Sequence, residues 1–176
     1  GHLHGGNSMG VFRLNLPPVP LAASATNVLA STATLNGSIT GESFSGSLWF
    51  EYGASTAYGQ TTPVQNFTPG VSAVPVSAAV TGLMPLLTYH YRLVASCSQG
   101  VFAGPDMAFS TPNTATFNAL TDVPVSVDGF TANGITLNIG LGFAPASGST
   151  LTLVNNTGVN PVNGFFTGLP NGSGIS

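Results

Sequence analysis

Lysine is absent from this sequence, and its only basic residues are two arginines, Arg13 and Arg92. With five acidic residues beside them, charged residues make up 4% of the chain, against roughly 25% in an average soluble domain. No basic patch can form to grip nucleic acid or an anionic membrane, so neither is expected as a partner. Intrinsic disorder is not expected either, because disordered chains are poor in apolar residues and rich in charge. Here 43% of residues are hydrophobic and the mean hydropathy is +0.35. Ser, Thr, Asn and Gly interrupt every apolar run. No run reaches the roughly 18 residues of a spanning helix, so no membrane insertion is expected. The one cysteine, Cys97, excludes an intrachain disulfide, and no helical period of useful length occurs.

Scarce charge also means weak self-repulsion between monomers. Surface polarity must then come from hydroxyls and amides, which suits an extracellular or assembled protein better than a free cytosolic enzyme. The sequence opens at Gly1 without a signal-peptide pattern. The expectation is that processing removed one or that the sequence begins downstream of it.

What the chain does have is clearest between Val80 and Ala95. A Thr81-Gly82 turn leads through Leu83, Pro85 and Tyr89 into a run of period two. Tyr89, Tyr91, Leu93, Ala95 and Cys97 point one way, and His90, Arg92 and Val94 the other. Leu-x-Pro-x-x-x-Tyr before a strand is the pattern of a tyrosine corner, whose ring packs at the end of a sandwich core while its hydroxyl bonds to upstream backbone. Pro85 suits the corner by fixing φ and giving up an unused donor.

Around this stretch the chain divides into three. Residues 1–20 form a glycine-rich arm with a strand-like segment, Met9 to Leu16, and a proline linker, Pro17-Pro18 with Pro20. Residues 21–112 hold seven expected strands: 23–29, 32–40, 47–53, a weaker 60–67, 73–80, 87–98 and 101–111. Short strands at regular spacing with Gly and Pro turns argue for an all-β sandwich. This part resembles a bacterial fibronectin type III domain. The residues that carry the likeness are Ser31 to Gly37, Trp49-Phe50-Glu51-Tyr52-Gly53, Ser55 to Gly59, and Leu83-x-Pro85-x-x-x-Tyr89-His90-Tyr91-Arg92. It departs from animal members of the family, which usually carry the core tryptophan on the second strand. The resemblance implies a spacer, adhesion or assembly module without catalytic residues.

Residues 113–176 read as a second, smaller and incomplete β-rich unit, with strands expected at 114–118, 124–130, 134–143, 149–155 and 162–167. Asn133-Gly134 is a strong hairpin-turn signal. This unit is similar, more loosely, to β-strand repeat segments of large bacterial surface proteins. About 64 residues make a thin core, and the unit is expected to continue into another hairpin.

Chemistry is sparse. His90 is the only histidine within an expected fold, on the outward side of a strand, and Glu42, Glu51, Asp106, Asp122 and Asp128 lie on separate elements. No enzyme activity, metal or cofactor is expected. The His2-x-His4 pair is too small a ligand set. Asp122 and Asp128, without an Asp-x-Asp-x-Asp run, read as turn and capping residues. Cys97 reads as a small buried side chain. Asparagine sequons occur at Asn36, Asn66, Asn155 and Asn171.

Two functional expectations follow. The first is a secreted structural subunit that assembles head-to-tail with copies of itself into a filament or surface layer. In it residues 9–16 add as a donor strand to a neighbour through Val11, Phe12, Leu14 and Leu16. The second is an accessory or adhesion module of a surface protein, binding a glycan or another protein through Trp49, Tyr58 and Phe67. In either, Trp49 and Glu51 should face outward beside His90 and Arg92, with Arg92 pairing with Glu51 or stacking on Trp49.

Overall fold

In the computed structural model, which describes residues 15–132 and 134–168, every regular element among the described residues is a strand. β2 (Thr32–Thr40) shows how the first unit forms. Its side chains alternate between half-exposed and buried, with Ala33, Leu35 and Ile39 inward, because successive side chains of a strand point to opposite faces. β2 is the centre of an antiparallel sheet between β1 (Val19–Thr26) and β6 (Val74–Thr81).

The second sheet is built on β3 (Gly46–Gly53) and the antiparallel β7 (Thr88–Cys97). The short β4 (Gln60–Thr61) and β5 (Gln65–Phe67) pair with the free side of β3. On the far side of β7 lie β8 (Gly100–Ala103) and β9 (Met107–Ser110). Counting β4 with β5 and β8 with β9 as broken strands, this is a three-plus-four immunoglobulin-like sandwich. Leu35 and Ile39 from one sheet meet Leu48, Phe50, Tyr91 and Leu93 from the other, all nearly free of solvent. Each such side chain contributes about 1.5–3 kcal/mol by leaving water.

Two expectations change here. The first strand begins at Val19, so Pro20 belongs to the strand, opposite Ile39, and not to a linker. Both Pro18 and Pro20 are buried. An edge strand tolerates proline because half of its N–H groups have no ladder partner. Phe67, expected on a binding platform, is 6% exposed. Its ring fills the space beside Gly46, its register partner, where any side chain at 46 would collide. A bulge between Ala23 and Thr26 is filled by Asn36, whose amide donates to Ser24 O at 2.9 Å and Thr26 Oγ1 at 3.0 Å.

The second unit departs further. Its strands are β10 (Thr114–Phe117), β11 (Val125–Val127), β12 (Phe130–Thr131), β13 (Asn138–Leu141), β14 (Val154–Asn156) and β15 (Val162–Asn163). β10 pairs with β13, β11 with β14 and β12 with β15, all three in parallel. The chain therefore winds through two coils of a parallel β-helix, the second lying against the first, and among the described residues of this unit no hairpin forms. Gly134 does take a positive φ of 72°, but the chain then advances into the next coil and does not fold back on β12. Alternation of period two is the same in parallel and antiparallel strands, so the sequence pattern could not separate them.

The first coil's inward residues are sealed: Ala115, Phe117 and Val125 are at most 1% exposed and Phe130 is 5% exposed. Those of the second coil, Ile139, Leu151, Leu153, Val154 and Phe166, are only partly buried. Among the described residues, one coil has a neighbour on both sides and the other on one side alone.

Candidate functional site

The loop after β6 joins the two cores. Leu83, 6% exposed, closes the end of the sandwich core, its N–H donating to Ser31 O at 3.0 Å. Pro85 is buried beside it. Tyr89 is 6% exposed and stacks on Phe109, and its hydroxyl oxygen accepts the Met84 N–H at 2.9 Å. Burial raises the Tyr89 phenol above its ordinary pKa, against a smaller lowering by the Met84 hydrogen bond.

The next residues turn the other way. Leu86 sits at φ 65°, a conformation that costs a side-chain-bearing residue about 1–2 kcal/mol. Its side chain is buried in the core of the coils together with Phe117 and Phe130, and Met84 and Leu87 pack against the same cluster. Thr111, 2% exposed, holds this loop: its hydroxyl donates to Met84 O at 2.7 Å and accepts the Leu87 N–H at 3.1 Å. The tyrosine corner thus closes one end of the coil stack. Sequence reasoning saw Leu83, Pro85 and Tyr89 but not Leu86 or Thr111. The non-glycine left-handed residue has no sequence signature, and Thr111 looked like a plain strand end.

On the outer face of β3 and β7, Glu51 and Arg92 are direct register partners. Their flanking residues Phe50, Tyr52, Tyr91 and Leu93 point inward, so both charged side chains point out. Arg92 Nε and Nη2 donate to Glu51 Oε2 at 2.8 and 2.7 Å. The guanidinium stacks on Tyr58, 4.7 Å from the ring centre, and not on Trp49. Trp49 is half-buried further along β3, opposite Val94. The Tyr58 hydroxyl donates to Asp106 Oδ1 at 3.0 Å, and Asp106 Oδ2 accepts from His90 Nδ1 at 2.8 Å. Burial first, then the Asp106 hydrogen bond and charge, raise the Tyr58 phenol pKa.

Glu51, Arg92, Tyr58, Asp106 and His90 thereby form one chain of contacts. It ties β3 and β7 to the loop before β4 and the loop before β9. Both Asp106 oxygens are occupied within it, and the arginine is neutralised, so the arrangement acts as a clasp. Gly53 is required beside it, because any Cβ there would collide with the Tyr58 backbone carbonyl.

Other singled-out residues fall elsewhere. Val11, Phe12 and Leu14 lie outside the described residues, and Leu16 is 43% exposed. Asp122 Oδ2 accepts the N–H groups of Asn118 and Ala119, and Asp128 accepts the backbone and side-chain N–H of Asn160. Cys97 is a half-buried free thiol. Among the described residues no group of three His, Cys, Asp or Glu side chains is placed to hold a metal.

Between the sandwich and the coils lies an open cleft of about 890 Å³. Its walls are the loop Ala54 to Tyr58, the corner residues Leu86 to Thr88, and the coil edges at 127–131 and 160–163.

No protein-family description matches this chain, and no curated protein does. Among solved structures, the sensor domain of the anti-sigma factor RsgI4 of Pseudobacteroides cellulosolvens is similar at 17% identity, with a TM-score of 0.42, over 55% of this chain and 96% of that one. The multi-modular cell-surface chitinase ChiW of Paenibacillus sp. is similar at 12% identity, with a TM-score of 0.32, over 73% of this chain and 10% of that one. Likeness at this level carries nothing about activity or ligand.

Proposed function

We propose that this chain is a non-enzymatic structural module of an extracellular assembly, a fibronectin type III-like sandwich seated on the end of a β-strand-repeat coil. It joins copies of itself by strand addition into a filament or surface layer. The observation that carries the reading is the asymmetry of the coil stack. The corner residues Met84, Leu86 and Leu87 cover one end. The other presents β13, β14 and β15 with half-exposed Ile139, Leu151, Leu153 and Phe166 beside them. Such an edge is a template for another strand, and strand addition is a general mode of association.

The donor in this reading is the segment 9–16 of a neighbouring copy, with Val11, Phe12, Leu14 and Leu16 as its apolar residues. Burial of each of the larger ones contributes about 1.5–3 kcal/mol, set against association costs of several kcal/mol. Because donor and acceptor surfaces differ, the contact is head-to-tail and gives an open filament unless a ring closes. With so little charge involved, assembly should depend weakly on salt.

Light scattering and negative-stain electron microscopy test this. The full chain is expected to form polymers, and a chain lacking residues 1–16 to remain monomeric. A truncated chain that polymerises equally well removes the donor-strand reading. A full chain that stays monomeric at high concentration removes the assembly reading altogether.

A further inference from the structure

The cleft between the two units has a composition that selects a ligand class, and the argument stands apart from self-assembly. Its apolar lining is the half-buried Leu87 and Ile135, backed by the buried Leu86 and Phe130, with Pro161 along one side. Its rim carries hydroxyls and amides: Ser55, Thr88, Thr131, Asn160 and Asn163. Sites of a few hundred to about 1,000 Å³ at a junction between units, with an apolar base and few polar groups, are where ligands are usually held.

Charge decides the class. The only charged side chain of the lining is Asp128, whose carboxylate oxygens already accept the Asn160 backbone N–H at 2.8 Å and its side-chain amide at 2.9 Å. Arg92 is not in the lining and is held by Glu51. Among the described residues of the lining a phosphate, sulfate or uronate would find no cation to pair with, and would meet the Asp128 carboxylate instead. A cationic ligand would have to share the Asp128 carboxylate with the backbone and side-chain N–H groups of Asn160. A neutral ligand meets no such penalty. The cleft is open to solvent, so it does not enclose a compact apolar molecule, but it can take one that offers hydroxyls to the polar side chains and C–H faces to the apolar ones.

We infer that this cleft binds an uncharged oligosaccharide, with Asn163, Thr88 and Thr131 as hydrogen-bonding side chains and the Leu87–Ile135 surface beneath the sugar rings. The reading moves glycan recognition from the outer face of the sandwich to the junction of the two units.

NMR titration of the full chain with uncharged hexasaccharides tests it, using a β-1,4-glucan, a β-1,4-xylan and an N-acetylchitohexaose, with an oligogalacturonate as the charged probe. At least one neutral oligomer is expected to bind in the millimolar range or tighter, shifting the amides of Thr88, Thr131 and Asn163. Asn163→Ala should weaken it about fivefold, the equivalent of one lost hydrogen bond. Thr131→Trp, at an exposed position with the fold verified by amide dispersion, should obstruct it. The inference is overturned if no neutral oligomer binds at millimolar concentration. Preference for the galacturonate, or shifts gathered around Trp49 and Glu51, would overturn it as well. So would either variant, correctly folded, binding like the parent chain.

Discussion

The hydroxyl oxygen of Tyr89 accepts the N–H of Met84 at 2.9 Å, and the same short loop that this bond fixes carries Leu86 into the neighbouring core. One corner therefore ends the sandwich and begins the cover of the coils. Tyr89→Phe keeps the ring stack on Phe109 but leaves the Met84 N–H without its acceptor. A loss of about 1–3 kcal/mol is expected. It should appear as a lower urea midpoint at unchanged slope, and an unchanged midpoint would show that the corner bond contributes nothing.

Leu86 offers a sharper test of how the two units are joined. Truncation to alanine removes a buried side chain and keeps the strained φ of 65°, so about 2–5 kcal/mol of the coils' stability should be lost. Hydrogen exchange should quicken first in β10 to β13, with β2, β3 and β7 still protected. At an ordinary strand or helix position glycine is worse than alanine, but glycine adopts positive φ without penalty. Leu86→Gly is therefore expected to be no less stable than Leu86→Ala. If alanine proves clearly the better of the two, the left-handed conformation is not stressed.

What was legible in the sequence followed from local alternation. Leu48, Phe50 and Tyr52, like Tyr89, Tyr91 and Leu93, are inward as their spacing requires, and the outward placement of Glu51 and Arg92 follows from the same period. The stack of Arg92 on Tyr58 was not legible, since Tyr58 comes from a loop whose path depends on Gly53 and Asp106. Nor was the parallel winding of the second unit. Asn133-Gly134 favours a tight turn whichever way the chain leaves it, and only the pairing of Thr114 with Asn138 and Val125 with Val154 reveals the coil. Phe67 was misplaced because a three-residue strand is too short to show which side is inward. Leu86 was invisible because its partners belong to the other unit.

Alkaline pH should weaken the sandwich in a defined window. Tyr52, Tyr89 and Tyr91 all have pKa values raised above the ordinary 10.0, chiefly by burial. In the unfolded chain these phenols ionise near pH 10, whereas in the folded chain they hold their protons to higher pH. The folded state then binds more protons, so stability falls as pH rises from about 10 through the raised values. Their contribution is fully present below that. Urea midpoints measured from pH 7 to 12 should decline above pH 10, and Tyr89→Phe should make the decline shallower. An equally steep decline in that variant would assign the effect to other groups.

The spacing of the coils rests on glycines in the second coil that lie under polar side chains of the first. Gly142 lies against the Asn118 amide and Gly158 against the Asp128 carboxylate, each so closely that a Cβ would overlap the side-chain oxygen. The Asp128 carboxylate cannot easily swing away, because Asn160 holds both of its oxygens. Asn156 ties the same turn, its Oδ1 accepting the Gly129 N–H at 3.0 Å and its amide donating to Asn160 O at 2.8 Å. Gly158→Ala should therefore either push the coils apart or break the Asp128–Asn160 pair, at a cost of about 1–3 kcal/mol, as overpacking generally does. The double variant Asp128→Ala with Gly158→Ala separates the two contributions. It removes the overlap and the hydrogen bonds together, so its loss should fall short of the sum of the two single losses. Strict additivity in denaturation midpoints would mean that these residues do not press on one another, and that the turn has room to spare.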